Sequence, residues 1–263
     1  MNTLGGNNML TDPGAMASYT TMTGVATARS ERTFHVLAAS LMLACTLGGF
    51  RFFILHGKGL GGDEITGQIL PLVVIHGLSL FGWVALFLVQ SLLIMRKNRA
   101  LHTVLGKLGA AFAALIVVLG TVTSLLSVHF NPAIYEPFGG AGPFLWTLLG
   151  EMVTFGGLVA AGVYYRRRSE IHRPMMLFAT IVITSGGLAR MPYLSDLGVQ
   201  APLYVHGPTL LFATLILLVR WAHTRNVSRG YWVGYSVLVV AALLSITVGT
   251  SAPWLQITQL IVP

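Results

Sequence analysis

One cysteine in 263 residues removes several chemistries at once. Cys45 has no second thiol, so an internal disulfide, a thiolate-rich zinc or iron–sulfur site and a covalently attached c-type haem are all excluded. Charge is also scarce: Asp, Glu, Lys and Arg make up 9% of the chain, against 54% hydrophobic residues and a mean hydropathy of +0.75. A water-soluble domain of this length could not cover its own surface with so little charge. Acids are the scarcer sign, eight against sixteen Lys and Arg. Close histidine pairs at the four-residue spacing of helical metal sites are missing altogether.

What the chain has instead is long apolar sequence. Runs able to cross about 30 Å of hydrocarbon as helices of roughly 20 residues begin near His35, Leu70, Thr103, Pro143, Pro174, Pro202 and Tyr231. They predict an all-α bundle of about seven transmembrane helices. A closed β-barrel would alternate apolar and polar residues, whereas Ala110 to Leu119 and Leu210 to Val219 are apolar nearly throughout.

The basic residues set an orientation. Arg29 and Arg32 precede the first run; Arg96, Lys97, Arg99 and Lys107 flank one connection, Arg166, Arg167, Arg168 and Arg173 another, and Arg220, Arg225 and Arg229 a third. These belong together on the cytoplasmic side. Arg51, Lys58 and Arg190 are left for the opposite face, with Asp63, Glu64, Glu136 and Asp196. The reading is a multipass inner-membrane protein with its N-terminus inside and Pro263 outside. Topology and attraction to anionic lipid account for the pI near 10.1, so nucleic acid is not an expected partner.

Residues 1–33, rich in Gly, Thr, Met, Asn and Ala, show no apolar periodicity and are expected to be a disordered tail, with residues 34–263 forming one transmembrane domain. The first apolar run starts past Thr33 and is long enough to remain in the bilayer, so it reads as a signal anchor rather than a cleaved leader.

Histidine is where the sequence becomes specific. Pro71-Leu-Val-Val-Ile-His76-Gly77 and Pro202-Leu-Tyr-Val-His206-Gly207 each place a histidine about one turn inside an outer boundary, followed by glycine. Arg99-Ala-Leu-His102 and Arg168-Ser-Glu-Ile-His172 do the same at the cytoplasmic boundary, without the glycine. Two imidazoles at equal depth on different helices can supply both axial ligands of a b-type haem. His76 with His206 would make an outer site and His102 with His172 an inner one, about 30 Å apart along the helix axis. Such a stack would carry electrons across the bilayer between a quinol or outer donor and a partner. The bland readings are interfacial histidines and, for the inner two, ordinary cations among arginines; His35, His56 and His223 are read as interfacial. His76 and His206, joined by His129, Asp196 and Glu64, could instead bind zinc with an open position for water, as a hydrolase needs.

Glu151 is the one acid well inside a run. Carboxyls at that depth pair, face a cavity or relay protons, and the alternatives here are a proton relay or an interhelical tie through Thr180 or Ser185, or to Thr154 on its own helix. Arg190, at an outer helix end with Tyr193 and Asp196 beyond it, could meet a haem propionate or a lipid headgroup, or pair with Asp196 or Glu136. Small residues such as Gly156, Gly157, Ala160 and Gly162 suit close helix contact, a flat cofactor or the docking of another membrane subunit equally.

The block from His76 through Trp83 to Gln90, then Arg96 to Arg99 and His102-Thr-Val-Leu-Gly106, resembles the His…Arg…His-x-x-Leu-Gly pattern of bacterial multipass membrane proteins of the DUF2306-like kind. Arg166-Arg-Arg-Ser-Glu-Ile-His172-Arg-Pro, followed by Ala189-Arg190-Met-Pro192, is similar to their later half. The resemblance covers His76 to His206, implies the helical fold and picks out His76, His102, His172, Arg190 and His206 without implying a reaction. More distantly, the paired layers resemble two-haem b cytochromes of the ascorbate-reducing type, although this chain pairs its second run with its sixth and carries no ascorbate motif. Three functions follow as expectations: a haem b electron-transfer protein, an accessory or assembly subunit of a larger membrane complex, and an intramembrane zinc hydrolase.

Overall fold

The computed structural model describes residues 13–57, 67–191, 201–225 and 227–261, with side chains from Arg29 onward. Every regular element among them is helical. In chain order they are α1 (Pro13–Gly49), α2 (Arg51–His56), α3 (Leu70–Met95), α4 (Arg99–Phe130), a 3-10 helix (Pro132–Phe138), α5 (Ala141–Tyr164), α6 (Ser169–Ala189), α7 (Ala201–Thr224), α8 (Arg229–Thr247) and α9 (Ala252–Thr258).

Local chemistry explains several of the boundaries. Pro71 occupies the first turn of α3, where its missing N–H costs nothing. The Asn98 side chain accepts from the Leu101 amide at 3.1 Å and starts α4. Gly139 and Gly140, with φ of 93° and 98°, turn the chain between the 3-10 helix and α5 through a region that side chains disfavour.

Five helices are long and apolar enough to cross a membrane: α3, α4, α5, α7 and α8. Their outward faces are apolar, with Leu78, Leu108, Val153 and Leu211 projecting from the bundle, Val153 at 75% exposure. The other two expected runs correspond to α1 and α6, which fall short of that mark among the described residues. In α1 the apolar part, 34–49, is shorter than the roughly 20 residues a full crossing uses. In α6 the reason is position. It packs against α1, α3, α5, α7 and α8, and every residue from Leu177 to Ser185 is buried. A helix surrounded by protein can carry Thr180, Thr184, Ser185, Gly186 and Gly187 where a lipid-facing helix would carry leucine. Thr180 and Thr184 donate back to the carbonyls of Met176 and Thr180, so neither hydroxyl is stranded.

Glycines set the closest crossings. A Cβ on Gly49 would collide with the Gly187 carbonyl, and one on Gly187 would lie 2.9 Å from the Thr46 Cα, so α1 and α6 meet backbone to backbone. Gly234 of α8 receives the Phe178 ring in the same way. Trp83 joins α3 to this centre, donating to Thr180 Oγ1 at 3.2 Å and meeting the Phe155 ring edge-on at 5.0 Å.

The N-terminal segment departs from the sequence expectation. Residues 13–33, read as part of a disordered tail, are the first half of α1, while residues 1–12 lie outside the described set. The physical reason is visible at Glu31. Its carboxylate accepts from Arg220 Nη2 of α7, with Arg173 of α6 at 3.8 Å, so polar contacts tie α1 down at Glu31.

Candidate functional site

The inner pair is brought together. His102 on α4 and His172 on α6 face each other with ring centres 6.4 Å apart and planes at 89°. Each ring is held through Nδ1. His172 Nδ1 lies 2.8 Å from the Gly162 carbonyl of α5, and the Gln90 side-chain amide of α3 lies 2.6 Å from His102 Nδ1 while its oxygen accepts from the Gly106 amide at 2.9 Å. Four helices therefore converge on two imidazoles, and in each ring Nε2 is the nitrogen not engaged in these contacts. Gln90 thereby ties α3 to α4 and orients a histidine as well. The Gly162 carbonyl can only accept, so His172 Nδ1 carries the proton and Nε2 keeps its lone pair in the neutral ring.

The outer pair is not brought together. His76 packs where α3, α4 and α5 meet: its Cε1 is 3.1 Å from the position a Cβ would take on Gly120, a position the Met152 thioether also crowds. Its Nδ1 is buried with no hydrogen-bond partner. His206 turns toward α8 instead, with Nε2 2.9 Å from Ser245 Oγ, and shares a cavity with Glu151 and Thr154 of α5. The two imidazoles thus approach different faces of α5. The helices that carry them pack mainly on other elements, α3 on α1, α4 and α6, and α7 on α6, α8, α5 and α1. Equal depth was legible in the sequence; rotation about each helix axis was not. The space beside His206 is about 10 Å³, room for one water, and a macrocycle does not fit there.

The zinc reading finds no ligand set among the described residues: no three His, Cys, Asp or Glu side chains there gather into a cluster. His129 Nδ1 is taken up by the Ile261 carbonyl at 2.7 Å. Glu64 and Asp196, offered as further ligands, and Tyr193 lie outside the described residues.

Glu151 is buried at 9% exposure, and of the three interhelical and local partners foreseen for it the one it meets is Ser185 of α6, which donates to its carboxyl. Arg190 donates to the Gly186 carbonyl at 2.8 Å and stacks over the Phe50 ring at 4.4 Å, with Tyr204, Tyr135 and Glu151 within reach of its charge. Beside it the Tyr135 and Ser127 hydroxyls share a hydrogen bond, and the Phe138 and Tyr204 rings lie 4.6 Å apart.

A second polar cluster was missed by sequence reasoning. His35, read as interfacial, is buried, with Nδ1 2.8 Å from the Glu31 carbonyl and Nε2 3.2 Å from the Tyr231 hydroxyl. Arg220, 6% exposed, lies between Tyr231 at 4.0 Å and Phe34 at 5.4 Å while pairing with Glu31. The available signal was Glu31 itself, a lone acid between Arg29 and Arg32. His56 stacks on Phe52, and His223 is exposed.

No protein-family model, curated protein or solved structure matches this chain.

Proposed function

We propose that this is a multipass inner-membrane protein of seven spans, with its basic face cytoplasmic, in which His102 and His172 hold a b-type haem and the protein passes electrons between a quinol or other donor and a membrane partner. The observation that carries the reading is the spacing of the inner imidazoles. Two metal–nitrogen bonds of about 2 Å, with roughly 1.2 Å from each nitrogen to its ring centre, give a centre-to-centre separation of about 6.4 Å, and the pair stands at 6.4 Å.

The surrounding residues suit that role. His172 donates from Nδ1 to the Gly162 carbonyl, the outer-shell arrangement that orients a histidine ligand, whereas the Gln90 amide donates to His102 Nδ1, so coordination through His102 Nε2 requires the proton on that nitrogen to leave. Arg166, Arg167 and Arg168 form a basic rim at the same end of the bundle, suited to propionate carboxylates. When bound, the haem supplies a one-electron couple. The outer pair is left out of this assignment, so the reading is of one haem rather than a stack of two.

A second reading has an observation of its own. Gly157 and Ala160 are exposed beside Val153 on the outer face of α5, and a Cβ added to Gly157 would meet nothing within 4 Å. That face suits a helix of another membrane subunit, as an accessory or assembly role requires.

Spectroscopy separates the two. Protein purified after haem-replete expression is expected to show a Soret band that shifts with dithionite, to lose it in His102→Ala and in His172→Ala, and to keep it in His76→Ala. Absence of the band, or a band that survives His172→Ala, removes the haem assignment and leaves the accessory role; an elemental assay showing iron without porphyrin, copper or zinc would mark a bare metal site.

A further inference from the structure

The outer half of the bundle holds a polar chamber that the haem assignment does not use. Glu151 and Thr154 of α5, Val182 of α6, His206 and Thr209 of α7 and Leu238 of α8 enclose a cavity of about 10 Å³, enough for a single water. Both titratable residues in its wall are buried, Glu151 at 9% exposure and His206 at 7%. We infer that Glu151 and His206 form a proton-exchange site inside the membrane, linked by a water held between them.

The argument begins with the cost of a carboxyl at this depth. An ionised group surrounded by apolar side chains needs a counter-charge, and a neutral one needs only hydrogen bonds. Among the described residues the ion pairs of acidic side chains belong to Glu31, and Glu151 has none. Its neighbour Arg190 is within electrostatic reach but spends its guanidinium on the Gly186 carbonyl and the Phe50 ring. Glu151 is therefore set up to hold a proton, with Arg190 near enough to steady the carboxylate when the proton leaves.

The groups facing the site from each neighbouring element complete the picture. From α6 come the Ser185 hydroxyl, which donates to the carboxyl, and Arg190. From α7 come His206 and, beside Arg190, Tyr204; from the 3-10 helix comes Tyr135. Ser245 of α8 meets His206 Nε2 at 2.9 Å, and in the exchange Nε2–H donates to the serine oxygen so that Nδ1 carries the lone pair that accepts the proton. His76 sits on the Met152 side of α5, away from the chamber, and His129 of α4 is engaged at Ile261. In the exchange the O–H bond of the Glu151 carboxyl breaks, the water passes a proton on, and an N–H bond forms at His206 Nδ1. A carboxylate and an imidazolium remain, and the return of the proton restores both neutral groups. Thr209 does not compete for it, because its hydroxyl donates to the Val205 carbonyl at 2.7 Å.

The site stands independently of the haem, and its test does not need one. The full-length protein in detergent or liposomes is treated with dicyclohexylcarbodiimide, which reacts with protonated carboxyls in apolar surroundings, and the adduct is located by peptide mass spectrometry across a pH series. Glu151 should be labelled at low and neutral pH and lose labelling as the pH rises; Glu151→Gln should carry no adduct there. His206→Ala should move the pH at which labelling falls by about one unit or more. Ser245→Ala, which keeps both titrating groups, should move it less. Failure of Glu151 to label at any pH in folded protein overturns the site. So does labelling independent of pH, or a profile identical in wild type and His206→Ala.

Discussion

Glu31 joins three elements through one carboxylate. Arg220 is almost wholly buried, and Glu31 is the acid that neutralises it, so removing the acid strands a guanidinium between Tyr231 and Phe34. Arg173 adds little, because it is 3.8 Å away and its own side chain is 42% exposed. Glu31→Gln should therefore lower stability at neutral pH by roughly 2–4 kcal/mol, read as a reduced melting temperature in detergent, and Glu31→Met with Arg220→Met should recover part of the loss. Burial alone would raise the Glu31 carboxyl, but the Arg220 guanidinium, with His35 and Arg173 beyond it, outweighs burial and holds it below its ordinary value of 4.5. A depressed carboxyl contributes its stability in full above that ordinary value and loses it as the pH falls through the lower folded one. The gap between wild type and Glu31→Gln should accordingly be widest near neutrality and close in acid; a gap that persists in acid would show that the pair is not its source.

At the scale of the helix, the crossing of α1 and α6 is the least forgiving contact. Gly187→Val must push its methyl groups into the α1 backbone at Thr46, and overpacking of this kind costs about 1–3 kcal/mol or more. Gly157→Val on α5 meets open space. Purified side by side, the first should lose monodisperse protein on size-exclusion chromatography and the second should behave as wild type; equal behaviour would mean that the two helices do not meet at their glycines. The pattern of legibility follows the same division. Helix starts near Leu70, Pro143 and Pro202 fall close to those of α3, α5 and α7, because proline and apolar runs mark them locally. The common depth of His102 and His172 was also foreseeable, since arginine-rich boundaries fix it, and so was Ser185 among the candidate partners of Glu151. The divergence of His76 from His206 was not, because a step of one residue turns a side chain by about 100° and nothing local to Pro71 or Pro202 records it. The anchoring of Glu31 escaped for a different reason: its partner Arg220 is almost two hundred residues away in the chain.

For the molecule as a whole, the lone cysteine makes topology directly measurable. In a Cys45→Ser background, Arg167→Cys and Glu136→Cys each place one thiol on an exposed side chain at opposite ends of α5. A membrane-impermeant maleimide added to intact spheroplasts should label the second and reach the first only after lysis. The reverse pattern, or labelling of both, would overturn the proposed orientation.

The polar, glycine-bearing character of α6 also bears on how the protein is made. A segment with threonine and serine at its middle partitions poorly into lipid by itself, since insertion at the translocon weighs each residue by depth. Its hydroxyls and glycines become acceptable only once α1, α5, α7 and α8 surround it. The nascent chain must then hold α6 sheltered beside α5 until the two later helices emerge, so biogenesis of this protein depends on partners that are synthesised after the helix they enclose.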